Sequence, residues 1–190
     1  MDYKVIGAVT AAIVLAVALI GYPMAKAQAP SYTTVTSSNV TSNPTGKVYY
    51  FSATTGGNIP HVADDYINEV LVFGYAWLDV NSDPINAVVV TIHPTFRDSA
   101  QNPNHWHPHI AKLQKTDDCA GYGLGLQVVN ASDLYKNGPA SPNGGISINK
   151  NTITLRLNAD DATVSSSTFD AATAFTIVIG NNDALCVAPP

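Results

Sequence analysis

Four of the five histidines fall within seventeen residues: His93, His105, His107 and His109. Imidazole is the side chain most used to bind Zn(II) and Cu(II), so a cluster this dense raises metal chemistry first. In a β-strand successive side chains alternate between faces, so His105, His107 and His109 of His-Trp-His-Pro-His project from one face and Trp106 and Ile110 from the other. A third ligand for a His-x-His pair must come from elsewhere. His93 ends the apolar run Val88 to Ile92, and the next strand is expected to begin at His105, so both lie near one end of a hairpin. The spacing therefore predicts a site drawn from His93, His105, His107 and His109, with His93, His105 and His107 as the plainest triad. Pro108 lacks an N–H and is tolerated mainly at an edge or bulge, which would turn His109 away. Asp98, in the segment between the strands, offers a carboxylate as ligand or as an acceptor orienting an imidazole. His61 is an outlying candidate. The bland alternative is that these histidines are polar strand-edge residues without chemistry.

The remaining chemistry is thin. There is no nucleophile elbow with a Ser-His-Asp order, no paired-carboxylate signature and no Gly-rich phosphate loop, so an enzyme is not expected. The His-rich, Gly-rich zinc loop of copper-zinc superoxide dismutases is also absent. Nine Lys and Arg against fourteen Asp and Glu give a formal charge of −5 with no basic stripe, which argues against a nucleic-acid partner. Only 12% of residues are charged, about half the usual fraction, and Asn, Ser and Thr fill the gap.

The N-terminus reads as an export signal: Lys4 gives a positive start and Val5 to Tyr22 is apolar apart from Thr10. Ala27-Gln28-Ala29 fits the small-x-small rule, which predicts cleavage after Ala29 and a mature chain from Pro30. The rival reading keeps residues 1–29 as a membrane anchor, since the apolar run approaches the length of a bilayer span. Pro23 argues against a pilin-type core helix. Export makes a disulfide the expected fate of the two cysteines, Cys119 and Cys186, which lack Cys-x-x-Cys zinc spacing. Asn39-Val40-Thr41 and Asn130-Ala131-Ser132 match the glycosylation acceptor pattern.

The elements that must position the histidines are strands. Residues 30–46 are rich in Ser, Thr and Asn and read as a flexible arm without core; residues 47–190 alternate β-formers with turn residues. Strands are expected at 47–53, 66–80, 85–93, 105–113, 123–130, 146–149, 152–157 and 174–180. Within 66–80, Gly74 is read as a bulge or bend. Ile146 to Ile148 facing Ile153 to Leu157 is the clearest hairpin, Asn81 to Pro84 is a turn, and short helical turns are possible at 132–136 and 160–170. Trp106 is read as a core anchor, and Tyr49, Tyr50, Phe73, Tyr75 and Trp77 as buried strand faces. The fold class is all-β, a single antiparallel β-sandwich or jelly-roll-like domain after an N-terminal hydrophobic signal segment.

Ala87 to His93, then Gln101-Asn102-Pro103, then Trp106-His107-Pro108-His109 resemble a group of uncharacterised secreted proteins of ammonia-oxidising archaea, over roughly 73–180. The resemblance implies a Trp-His-x-His core on Trp106, His107 and His109, which favours His93, His107 and His109 with His105 as an extra residue. It implies secretion and a β-domain, carries no activity, and makes copper the first metal to test. The function expected is a non-catalytic cell-surface β-domain binding Cu(II) or Zn(II). The alternative is a subunit of an extracellular filament or envelope that pairs with copies of itself by strand addition through the 30–46 arm.

Overall fold

The computed structural model describes residues 28–94, 104–134, 145–159, 169 and 171–190. The expected signal segment therefore lies almost wholly outside the described residues, as do Asp98 and nearly all of 160–170. Among the described residues, no helix is long and apolar enough to cross a membrane.

Among the described residues, ten strands form two antiparallel sheets: β1 Val35–Ser42, β2 Val48–Thr55, β3 Val72–Asp79, β4 Ile85–Ile92, β5 His107–Lys115, β6 Leu126–Asp133, β7 Ile146–Asn149, β8 Thr152–Asn158, β9 Ala171–Ile179 and β10 Leu185–Ala188. The first sheet is open, in the order β1-β2-β8-β7. The second closes on itself as a barrel, β9-β3-β4-β5-β6-β10 and back to β9. The all-β class stands, but the second layer is a barrel where a sandwich or jelly roll was expected. The physical cause is its register. Following the ladder from Ile85 to Leu113 and Val128, then from Leu126 through Val187 and Ile177 to Val72, returns about ten residues displaced along β3. So large a stagger tilts the strands steeply and widens the barrel, which lets only six strands enclose a lumen.

Strands β3 and β4 serve both layers because their side chains alternate. Phe73, Tyr75 and Trp77 of β3 and Val88, Val90 and Ile92 of β4 point outward, against Phe51 and Ala53 of β2 and Ile153, Leu155 and Leu157 of β8. Each large side chain buried this fully contributes about 1.5–3 kcal/mol. The intervening residues Ala76, Leu78, Ala87 and Val89 point into the barrel with Ala111, Leu113, Leu126, Phe175 and Ile177. Trp106 joins the outer core, stacked on Tyr75 with ring centroids 5.5 Å apart, and its indole N–H donates to the Pro60 carbonyl at 2.8 Å. Tyr50, by contrast, is exposed.

The stretch expected to be a coreless arm is built into the fold. Ser31–Thr33 is a 3-10 turn that buries Tyr32, and β1 pairs with β2 along its length. Mostly exposed on both faces, β1 carries no alternation, and the β2 edge satisfies its backbone. The Tyr32 hydroxyl donates to the Asp64 carboxylate at 2.7 Å, and the Tyr75 hydroxyl to the Tyr32 carbonyl at 2.9 Å. The expected long strand 66–80 is instead a helix, α1 Asp65–Glu69, followed by β3. Asp64 caps α1 by accepting from the Ile67 N–H at 3.0 Å. Gly74 sits in regular register opposite Thr91, with no bulge. A Cβ there would stand 2.6 Å from the Val90 carbonyl oxygen, so the glycine serves close approach of the strands. Ser132 belongs to β6, not to a helical turn.

The hairpin of β7 and β8 pairs Ile146 with Leu155 and Ile148 with Ile153, and Lys150 turns it with φ 54°. The short β10 had no counterpart among the expected strands. Cys186 within it is joined to Cys119 by the disulfide, with Cα atoms 5.5 Å apart.

Candidate metal centre

Thr91 of β4 pairs with His107 of β5, and Val89 with His109, so the odd-numbered residues of both strands share the lumen face. His93, one residue beyond β4, continues the same alternation. His107 and His109 open β5, and the three imidazoles meet at the end of the barrel where β4 finishes and β5 begins. All three are buried, His93 at 2%, His107 at 4% and His109 at 6% exposure. One ring nitrogen of each lies within 4.8 Å of the others.

Pro108 does not disturb this arrangement. A strand residue directs its N–H and C=O to the same side, and the Pro108 carbonyl accepts from Leu134 N–H at 3.4 Å. The N–H that proline lacks therefore points toward the end of β6 at Asp133, where the ladder stops, and the β4 side is untouched. His109 keeps its place on the lumen face.

The hydrogen bonds define the protonation pattern. The His107 Nδ1 lies 2.8 Å from the His105 carbonyl oxygen, which can only accept, so Nδ1 carries a proton. In the neutral ring this leaves the His107 Nε2 lone pair facing the cluster. His93 Nε2 lies 2.6 Å from it, and between two neutral rings His93 is the donor. His109 Nε2 contacts the Thr91 hydroxyl at 3.0 Å. The rings pack edge to face, with centroids 4.4 Å apart for His93 and His107 and 4.8 Å for His107 and His109.

Two imidazole nitrogens ~2.0 Å from one ion stand about 2.8 Å apart at a right angle and about 3.3 Å apart at the tetrahedral angle. The His93–His107 pair thus needs to open by a few tenths of an ångström. A backbone carbonyl holding the far nitrogen is the usual device for aiming a ligating imidazole. The three histidines can hold a transition-metal ion.

Of the candidates read from sequence, His93, His107 and His109 come together and His105 does not. The His105 side chain is exposed, and it serves the cluster through its backbone carbonyl. The strand starts two residues later than expected, so the alternation that selects the lumen face begins at His107. His61 is exposed. Thr91 was missed, although its position two residues before His93 in an alternating strand signals the shared face. Asn39 and Asn130 are both exposed. No protein-family model, curated protein or solved structure matches the chain.

Proposed function

We propose that this protein is an exported, non-catalytic β-domain that binds one Cu(II) or Zn(II) ion through His93, His107 and His109. The observation that carries the reading is the convergence of three buried imidazoles within 4.8 Å at one end of the barrel. The His105 carbonyl and the Thr91 hydroxyl hold two of the rings in place, which pre-orients the cluster for an ion. The ion takes the place of the proton held between His93 and His107, so binding releases it or moves it to the other nitrogen of His93.

Export is supported by the leader-like residues 1–29 and by the disulfide, which persists in oxidising compartments. The strand-addition reading gains less support, because the segment that would be donated is already β1 of its own sheet.

The test is metal content of the exported, untagged protein after exposure to Cu(II) or Zn(II), compared with the double variant His107→Ala/His109→Ala. One ion per wild-type chain and none in the variant is the expected result. Equal content in both would refute the assignment.

A further inference from the structure

The lumen behind the histidines is hollow. It holds a cavity of about 540 Å³, lined by Leu78, Val89, Leu113, Leu126, Phe175 and Ile177. The space exists because the wide barrel carries short side chains at lumen positions, among them Ala76, Ala111 and Thr173. Its size lies within the range of small-molecule sites, roughly 300–1,000 Å³, and its walls are apolar with few polar groups. Those groups are not scattered: His93, His109 and Thr91 stand together at one end.

The cavity reaches solvent. Leu124, Val129 and Leu185 line it and are yet exposed. They lie along the seam where β6 and β10 pair through two residues only, Gln127 with Cys186 and Leu126 with Val187. Val129 is the extra residue of a β6 bulge, since Lys112 pairs with Asn130 and Leu113 with Val128. An apolar rim, an apolar chamber and a nitrogen cluster at one end define the shape of a ligand.

We propose that the lumen binds a small, uncharged, largely apolar molecule bearing one nitrogen or sulfur donor, which completes the coordination of the ion held by His93, His107 and His109. This rests on the metal reading above. Three protein nitrogens leave a coordination position open, and two of the three ligands, His93 and His109, border the chamber. The donor head provides specificity at the ion, and the apolar body provides affinity by leaving water.

The test uses the full Cu(II)-loaded protein and 4-phenylimidazole as probe, followed by the change in the copper electron paramagnetic resonance spectrum. Imidazole is the donor without the apolar body, and toluene the body without the donor. The half-saturating concentration of 4-phenylimidazole is expected to be about 10- to 100-fold below that of imidazole. Ala111→Leu, which fills the chamber, should bring the two together while leaving the ligand-free copper spectrum unchanged. Toluene should raise the 4-phenylimidazole concentration required, a readout that needs no variant. A copper spectrum that responds equally to both imidazoles, or to neither, overturns the proposal and leaves the metal site standing. Absence of any protein-bound copper or zinc refutes the metal site itself, and this proposal with it.

Discussion

Substituting His105 and His109 separately gives the sharpest test of which imidazoles bind the ion. At a free metal concentration a hundred times the dissociation constant, binding to the folded state alone stabilises wild type by about 2.7 kcal/mol. For a domain of this size each kcal/mol moves the thermal midpoint by about 2–4 °C, so the metal-induced rise is about 5–11 °C. His109→Ala removes one of three converging nitrogens. Loss even of a group that only orients a ligand costs 10- to 100-fold in affinity, so this loss is at least about 100-fold. The same metal concentration then stabilises the variant by about 0.4 kcal/mol, a rise of only ~1–2 °C. His105→Ala should keep the full rise, because its side chain is exposed and the carbonyl that holds His107 belongs to the backbone. His109→Ala also loses the contact with Thr91, so each variant is compared with its own metal-free form by differential scanning calorimetry. An undiminished rise in His109→Ala, or a rise abolished in His105→Ala, would refute the assignment of the cluster.

Three further outcomes follow from the packing. Gly74→Ala brings a methyl against the Val90 carbonyl and the Phe175 ring, so it should cost about 1–3 kcal/mol, read as a lower urea midpoint with unchanged slope. Removing the disulfide with Cys119→Ser/Cys186→Ser frees a loop with a sequence separation of 67 and should cost about 4 kcal/mol in the same titration. Burial, reinforced by the neighbouring Asp64 carboxylate, raises the Tyr32 and Tyr75 hydroxyls well above their ordinary value, and Tyr66 shifts the same way. The folded state therefore keeps protons that the unfolded chain gives up above about pH 10, so stability should hold below that pH and fall above it. Urea midpoints measured at pH 9 and pH 11 check this, and Tyr75→Phe should flatten the decline.

The β class, most strands and the β7–β8 hairpin were legible because they rest on local alternation and turn chemistry. The disulfide was legible from the cysteine count and the leader-like composition of the N-terminal residues. Three things were not. β1 is an exposed edge strand of Ser, Thr and Asn, whose pairing is fixed by the β2 backbone and leaves no apolar signature. Barrel closure depends on register between β6, β10 and β9, which are distant in sequence, and β10 has only four residues. The choice among the histidines turned on where β5 begins: strand alternation alone placed His105, His107 and His109 together. The structure brings together His93, His107 and His109.

The double duty of β3 and β4 has a consequence for how this protein can change. Their aromatic and branched face carries the packing against the open sheet, and their small-residue face borders the hollow lumen. Packing against the open sheet and the wall of the chamber thereby lie on opposite sides of the same strands. Substitutions at Ala76, Val89 or Ala111 would reshape the chamber while the outer core stays intact, whereas changes at Phe73, Tyr75 or Trp77 would threaten the fold and leave the chamber walls alone. If the chamber binds a ligand as proposed above, its specificity can change through these positions without touching the outer core.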